Sequence, residues 1–193
     1  EQQSKRTTVG TNIPYDFIND EQRYEGKLTY TPKSGQSVQG TYLKLNQALE
    51  NNNSGFNVAD MRSLATQGQP QSLVSVQYTG VINPNFSMSA QYSSRQLTFT
   101  DVGATETDLV NGTLMIDLSR NLRFWSPTFC WGSVCGDGDE QRDNQNLVVK
   151  GSYFLSNSTT GTHHVAFGYD YFNDNIYANT HASGSDYRIR TTN

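Results

Sequence analysis

The chain has 193 residues and a formal net charge of −4 at pH 7, which argues against nucleic acid as a partner because phosphate binding needs clustered Lys and Arg. Hydrophobic residues make up 34 %, which is low for a soluble core, but aromatic residues reach 11 %, which is high for a disordered chain. The sequence contains no run of about 18 or more apolar residues and so predicts no transmembrane helix, and the polar residues 1–8 do not form a signal peptide.

Six stretches in which apolar and polar residues alternate predict six β-strands, because successive side chains of a strand point to opposite faces. In chain order these stretches are residues 23–32, 37–47, 72–82, 86–100, 147–155 and 164–171. The last two form the clearest hairpin, with an aromatic-rich face and a turn of small polar residues at 156–162. Near Ser93 and Ser94 the apolar residues change from even to odd positions, which predicts a β-bulge.

The lengths of the connections between these strands indicate the architecture. Short turns at residues 33–36, 83–85 and 156–162 alternate with long polar connections at 48–71, 101–144 and from 175 onward. An antiparallel up-and-down sheet would then have its turns at one end and its long loops at the other, which is typical of an all-β transmembrane barrel of the outer membrane. The alternative is a soluble secreted β-sandwich or small barrel acting as a binding or adhesion module, where loops of this length are uncommon. The aromatic face would meet lipid in the first case and a second sheet in the other.

Five strings occur in a specific order along the chain. They are NIPYDFINDEQRYEGKLTYTP at 12–32, YTGVINPNFSMSAQYSSRQLTFTDVGA at 78–104, LRFWSPTFC at 122–130, GDEQRDNQNLVVKGSYFLS at 138–156 and HASGSDYRI at 181–189. Together they resemble the β-barrel of TonB-dependent outer-membrane receptors, above all the Oar-like branch, whose members carry a carboxypeptidase-regulatory-like domain. This resemblance covers nearly the whole chain. It implies a barrel of about 22 strands around a plug, with long extracellular loops that capture the ligand.

The resemblance also implies which part of such a receptor the chain corresponds to. The sequence shows about six full strands but no plug, no TonB box and no barrel-closing strand, so residues 1–193 correspond to the middle of the barrel. Such a fragment would lie in the bacterial outer membrane, in contact with lipid, with the rest of the barrel and with the plug through which TonB acts. It would not transport a ligand alone, and its open strand edges would favour self-association in isolation.

Aromatic residues and one arginine cluster in the longest connection, at Arg123, Phe124, Trp125 and Trp131. Exposed aromatic and arginine side chains are enriched at recognition surfaces, so these four residues form a candidate ligand-binding site. The alternative is that they pack the loop onto itself. In a receptor of this family, the connection would be extracellular and would face an unknown ligand.

Carboxylates are dense just before the last hairpin, at Asp137, Asp139, Glu140 and Asp143. Calcium prefers hard oxygen ligands around a turn, which Gly138 permits, so this segment is a candidate calcium site. It lacks the spacing of an EF-hand loop, and a solvated acidic turn is the alternative. The sequence predicts no other cofactor.

The two cysteines, Cys130 and Cys135, are separated by four residues, which is not the spacing of a CxxC redox pair. Because there is no second cysteine pair, a zinc site is not expected. The Asn-, Ser-, Thr- and Tyr-rich surroundings favour a small loop-closing disulfide in an oxidising compartment, with a reduced pair as the alternative.

The chain has no recognisable arrangement of catalytic residues. Serines are frequent, but there is no GxSxG nucleophile elbow and no Cys–His arrangement with a known family spacing. His163 and His164 are adjacent in a predicted strand, so their side chains point to opposite faces and cannot bind one metal ion together. The sequence therefore predicts that this protein is not an enzyme.

Overall fold

The computed structural model describes residues 2–100, 106–127, 140–178 and 181–192, and nearly all of its elements are β-strands. In chain order these are β1 (Gln2–Thr7), β2 (Pro14–Tyr30), β3 (Gln36–Asn52), β4 (Ala65–Gly68), β5 (Gln71–Asn83), β6 (Phe86–Phe99), β7 (Leu114–Asp117), β8 (Leu122–Phe124), β9 (Glu140–Asn157), β10 (Gly161–Tyr177) and β11 (Arg188–Thr191). A single turn of 3-10 helix spans Met61–Ser63. None of the described residues forms a helix that is long and apolar enough to cross a membrane.

Most strands form one antiparallel sheet in which neighbours along the chain are also neighbours in space. The order is β1-β2-β3-β5-β6-β9-β10, and the short strand β4 pairs with β3. A second, three-stranded sheet has the order β11-β7-β8, with β11 parallel to β7. The predicted all-β antiparallel meander is therefore confirmed. Within the described residues the main sheet is not closed, since β1 and β10 form its two edges.

The six long strands β2, β3, β5, β6, β9 and β10 correspond to the six predicted strands, but several are longer than the alternation indicated. β2, β3, β9 and β10 each contain 17 or 18 residues. Most of their additional residues lie next to the long connections. Residues 140–146 of β9 are polar on both faces, whereas residues 14–22 of β2 include Tyr15, Phe17 and Ile18 without a sustained alternation. Backbone pairing does not require apolar side chains, so these ends gave no alternating signal.

The register places the side chains of directly paired residues on the same face of the sheet, and the two faces differ in composition. One side, which we call the aromatic face, is mostly apolar. Its members are Tyr24, Leu28, Tyr30, Val38, Tyr42, Val74, Val76, Tyr78, Phe86, Met88, Tyr92, Leu147, Val149, Tyr153, Val165, Phe167, Tyr169 and Tyr171. The opposite side, the polar face, carries mainly polar and charged residues over the same stretch, such as Lys27, Gln39, Gln77, Ser89 and Lys150.

Burial divides the molecule into two regions. The part of the six long strands that carries the aromatic face, which we call the wall, is exposed or only partly buried on both faces apart from Gly80 and Gly151. Strand β10 is exposed throughout. The other region, the cap, consists of residues 8–13, 53–64, 107–127 and 181–192 together with the strand ends next to them. The buried hydrophobic side chains of the described residues belong to the cap: Tyr15, Leu49, Val58, Ala59, Leu64, Ala65, Leu97, Phe99, Leu114, Ile116 and Leu122.

Strand β6 runs from the wall into the cap, and its apolar residues change face on the way. In the wall, even-numbered residues such as Tyr92 belong to the aromatic face, whereas in the cap Leu97 and Phe99 are buried on the opposite face. Pairing with β5 and β9 keeps one register through this change. The predicted bulge at Ser93 and Ser94 is therefore wrong. The apolar positions change because the buried side of the strand changes, and no residue is inserted.

Candidate functional site

Backbone hydrogen bonds hold the cap together by joining connections that are far apart in the sequence. Val58 forms a parallel bridge with Arg123. The N–H of Arg123 donates to the carbonyl of Asn57, and its carbonyl accepts the N–H of Ala59, both at 3.0 Å. The N–H of Val9 donates to the carbonyl of Val58 at 2.8 Å. Three connections therefore meet around Val58, and the hydrogen bonds of Arg123 hold β8 in place there.

The guanidinium group of Arg123, in β8, is packed within the cap. Its Cζ atom lies 3.8 Å from the centroid of the Phe56 ring. Nη1 donates to Oδ1 of Asn121 at 3.1 Å, whereas the buried Nε has no hydrogen-bond acceptor among the described residues. Burial lowers the pKa of the Arg123 guanidinium from its ordinary value, because desolvation disfavours the charged form.

Trp125, the residue after β8, occupies a strained turn. Ser126 donates its N–H to the carbonyl of Phe124 at 3.0 Å, and Trp125 between them has a φ of 74°. A three-residue turn with a positive φ at its centre is rare and costs free energy for a residue other than glycine. The backbone N–H of Trp125 favours the ionised form of the Asp60 carboxylate. Because such strain clusters at functional sites, it marks Trp125 as a candidate functional residue.

Asp60 connects this turn to the 3-10 helix. Its carboxylate accepts the backbone N–H of Arg62 at 3.0 Å and the Nε and Nη2 donors of the same arginine at 3.1 and 2.8 Å. Burial raises the pKa of Asp60, but the hydrogen bonds and charge of Arg62 and the N–H of Trp125 together lower it by more, so the pKa lies below its ordinary value. The carboxylate of Asp60 is therefore ionised at neutral pH and fixes the start of the 3-10 helix through Arg62.

The structure brings together three of the four residues predicted to bind a ligand. Arg123, Phe124 and Trp125 are consecutive, partly buried residues of the cap. Five other predicted residues lie outside the described ranges, namely Trp131, Cys130, Cys135, Asp137 and Asp139. The disulfide and the calcium ligands Asp137 and Asp139 therefore stay predictions.

Sequence reasoning missed Phe56 and Asp60, which complete the cluster around Arg123. Both residues lie in the connection between β3 and β4, which the sequence predicted as a long polar connection. Phe56 could have indicated that this loop packs against another segment, because a single large aromatic residue in a polar loop has a large area to bury. Its partner could not be named, since Arg123 belongs to a different connection.

Glu140 and Asp143 are the predicted calcium ligands that the structure describes, and they do not converge. They lie three residues apart in β9, so their side chains point to opposite faces. Glu140 is buried and accepts a hydrogen bond from Nε of Arg142 at 2.6 Å, whereas Oδ1 of Asp143 accepts the N–H of Leu97 at 3.2 Å. In the described ranges, no group of three or more His, Cys, Asp or Glu side chains is placed to hold a metal ion.

An open trough of about 760 Å³ lies at the turn end of the wall. Its lining includes Ser87, Ser89, Lys150, Ser152 and His164, all on the polar face. Oγ of Ser152 lies 2.5 Å from Nε2 of His164 across β9 and β10. No carboxylate of the described residues contacts the other ring nitrogen of His164, so the pair lacks the acid that orients a catalytic histidine. The trough therefore presents hydroxyl groups, one imidazole and one ammonium group.

Comparison with known proteins assigns no family to this chain. No protein-family model matches it, no curated protein matches it, and no solved structure matches it. Its function is therefore inferred from the wall, the cap and the resemblance of the sequence.

Proposed function

We propose that this chain is part of the transmembrane barrel of a TonB-dependent receptor, which takes up a ligand across the bacterial outer membrane. In this proposal the aromatic face of the wall contacts lipid, and the polar face lines the interior that a plug occupies. The cap lies on the extracellular side, where Arg123 and Trp125 contact the ligand. Other strands of the barrel pair with the edges of the sheet, and TonB acts through the plug, so the chain does not transport alone.

The aromatic face runs obliquely across the sheet, and this observation gives the proposal its main support. At the end nearest the cap, this face begins at Tyr24 on β2 and at Tyr171 on β10. The register places Tyr171 level with Leu28, which lies four residues beyond Tyr24. The row that connects them is Leu28, Gly40, Val76, Tyr92, Leu147 and Tyr171. The aromatic face therefore shifts by about 13 Å along the strands over the roughly 24 Å between β2 and β10.

A shift of this size means that the strands are tilted by about 30° from the perpendicular to the apolar band. The strands of outer-membrane barrels have a similar tilt, of about 35–45° from the barrel axis. The apolar layer of a membrane is flat, so each tilted strand must begin its lipid-facing stretch at a different level. On β10 this stretch, from Val165 to Tyr171, covers about 20 Å along the strand, which is of the same order as the apolar band of about 25 Å in such barrels.

The exposure of the aromatic face favours a membrane wall over a soluble β-sandwich or small-barrel binding module. In the soluble module, the aromatic face would be buried against a second sheet. Tyr30, Phe167 and Tyr169 are instead 64 %, 57 % and 60 % exposed, and the second sheet of the described residues belongs to the cap. Lipid would remove these side chains from water without a second layer of protein.

Val148 and Val149 provide a matched test, because they are adjacent in β9 and point to opposite faces. Val149 pairs with Tyr169 on the aromatic face, whereas Val148 pairs with Asp170 on the polar face. We expect V149R to lower the free energy of unfolding of the chain in lipid vesicles by about 2–4 kcal/mol, the cost of arginine at the lipid-facing midplane of a barrel. V148R should change it by less than about 1 kcal/mol, since arginine there faces a polar interior. Denaturant titration of both variants measures the two values.

Equal destabilisation by V149R and V148R would contradict the proposal. Sedimentation of the purified chain with and without detergent gives an independent check. Dependence on detergent is expected if the aromatic face contacts lipid. A compact monomer in plain buffer would instead favour the soluble binding module.

A further inference from the structure

The main sheet ends in two long strand edges that no described strand covers. Strand β10 pairs with β9 over all of Gly161–Tyr177 and has no described neighbour on its other side. At the opposite end of the sheet, β1 covers the outer edge of β2 at residues 14–19, and residues 21–30 continue beyond it. Residues 21–30 are all exposed, as is the whole of β10. Such edges are sites for pairing with another strand, above all in lipid, which offers the backbone no hydrogen bonds.

The two edges are complementary in direction. Strand β2 runs from the cap to the turn end of the wall, and β10 runs back from the turn end to the cap. If β10 of one copy pairs with β2 of another, the strands are therefore antiparallel, and both caps lie at the same end of the sheet. Pairing of β10 with β10 would also be antiparallel, but it would place the two caps at opposite ends. In the proposed function all caps are extracellular, so β2 is the suitable partner of β10.

Charges on the polar face limit the register of this pairing. Asp170 is the carboxylate of β10 on this face within the wall, and β2 presents Arg23, Glu25 and Lys27 there in alternating sign. Opposite charges that face each other across two strands are stabilising, and like charges are destabilising. Asp170 therefore faces Arg23 or Lys27, and the register that places it opposite Glu25 is disfavoured. Arg23 is accessible for this contact, since its side chain is 60 % exposed.

The aromatic face decides between the two attractive registers. From β2 to β10 this face shifts by four residues toward the turn end. With Arg23 opposite Asp170, Tyr24 lies opposite Tyr169, and the new step adds two residues in the same direction. The total over six strands corresponds to a tilt of about 35°, as in outer-membrane barrels. With Lys27 opposite Asp170, the face would step back by two residues, and the tilt would be only about 13°.

We propose that the edge of β10 binds the outer edge of β2 in a second copy of this chain, with Arg23 opposite Asp170, and that two copies close one barrel. This inference rests on the proposed function, in which further strands pair with the edges of the wall; for the chain alone, a second copy supplies them. One copy cannot close on itself, because the interior of a barrel of about eight strands is only just wide enough for its side chains, and the wall has six long strands. Two copies related by a two-fold axis form two identical interfaces and leave no open edge in the wall.

The test uses the full chain in density-matched detergent micelles, where sedimentation equilibrium measures self-association. We expect a reversible dimer. R23D and D170R each place like charges opposite each other at both interfaces, so each should weaken dimerisation by about tenfold or more. An equimolar mixture of R23D and D170R should associate nearly as strongly as the unmodified chain, because the mixed dimer has opposite charges at each interface.

Lys27 supplies the matched control. It lies on the same strand and face as Arg23, but in the proposed register it faces Ala166. K27D should therefore leave dimerisation unchanged. If Lys27 instead faced Asp170, K27D would weaken the dimer.

Four outcomes would overturn the proposal: a chain that stays monomeric, growth into ever larger oligomers, a mixture that associates no more strongly than R23D alone, or equal weakening by K27D and R23D. Amide hydrogen exchange in β9 shows whether the hairpin of β9 and β10 stays folded in the variants. If it does not, R23Q, D170N and their combination replace them, and the combination should dimerise no more weakly than either single variant.

The outcome is separable from the test of the wall. Absence of the dimer together with the expected difference between V149R and V148R rejects this inference alone. A dimer with the proposed register but without that difference rejects the membrane proposal alone.

Discussion

Apolar side chains of the wall are exposed or half-buried, whereas the buried apolar side chains of the described residues lie in the cap. Leu28 and Tyr169 of the wall are 75 % and 60 % exposed, but Val58 and Leu114 of the cap are each 2 % exposed. Burying a leucine or valine contributes about 1.5–3 kcal/mol, so the cap gains stability from its own core in water. The wall gains little in this way. The difference agrees with the proposal that the wall contacts lipid, whereas the cap forms a core of its own.

Individual strands pass through both regions without an interruption of pairing. On β2, Tyr15 is 7 % exposed and lies in the cap, whereas Tyr30 is 64 % exposed and lies in the wall. The two tyrosines point to opposite faces, since an odd number of positions separates them. The same change occurs along β6. A continuous β-ladder therefore extends from the cap into the wall. The change from buried to exposed apolar side chains occurs partway along β2 and β6.

The largest predicted effect concerns the core of the cap. L114A should lower the free energy of unfolding of the cap by about 2–5 kcal/mol, because Leu114 is fully buried and its replacement leaves a cavity. L118A is the matched control: Leu118 is 50 % exposed, and its truncation should cost less than about 0.5 kcal/mol. Amide hydrogen exchange measures the change and locates it. An equal loss of protection in β9 and β10 would contradict the separation of cap and wall.

Two glycines of the aromatic face allow a smaller test within the wall. A Cβ atom at Gly151 would lie 2.5 Å from Cζ of Phe167, whose ring stacks on Phe86 with a centroid distance of 6.4 Å. We expect G151A to cost about 1 kcal/mol, because Phe167 has to leave this stack. A Cβ atom at Gly40 meets no atom within 4 Å, so G40A should be neutral or slightly stabilising.

Denaturant titration in lipid vesicles compares the two glycine variants. A loss of stability in G40A as large as that in G151A would show that the aromatic stack does not determine the effect.

The smallest effect concerns the pH dependence of the cap. The folded-state pKa of Asp60 is lowered, so its contribution is present above the ordinary value and is lost as the pH falls through the lowered value. We expect the cap to lose about 1 kcal/mol of stability through Asp60 on acidification, as its hydrogen bonds from Arg62 weaken. D60N should reduce this dependence.

Near-UV circular dichroism of the tryptophans, recorded between neutral and acidic pH, follows the change. Hydrogen bonds from Ser119 also lower the pKa of Asp117, so part of the dependence should persist in D60N. The same pH dependence in D60N and in the unmodified chain would contradict the role of Asp60.

The strands of the wall could be predicted because their signal is local. Residues 164–171 alternate strictly, and β10 contains all of them. The end of β9 at residues 140–146 was missed because its residues are polar on both faces. The end of β2 at residues 14–22 was missed because its apolar residues Tyr15, Phe17 and Ile18 do not alternate over the whole stretch. The core of the cap carries no periodic signal either: Val58, Leu114 and Leu122 come from separate segments of two connections, and only the folded chain brings them together.

The candidate site could likewise be predicted only in part. Arg123, Phe124 and Trp125 stood out because arginine and aromatic residues are adjacent in the sequence. The contacts that give them physical meaning, with Phe56 and Asp60, join two connections that are far apart in the chain. Composition identifies such a cluster, but the stacking of Arg123 on Phe56 becomes visible only in the folded chain.

The central claim is that the aromatic face contacts lipid, and tryptophan fluorescence in vesicles of brominated lipid tests it most directly. V149W places the probe on the aromatic face and V148W on the polar face of the same strand, with Trp125 and Trp131 as a common background. We predict that brominated lipid quenches the additional fluorescence of V149W and leaves that of V148W unchanged. Equal quenching of both variants, or quenching of neither, would contradict a lipid-facing wall.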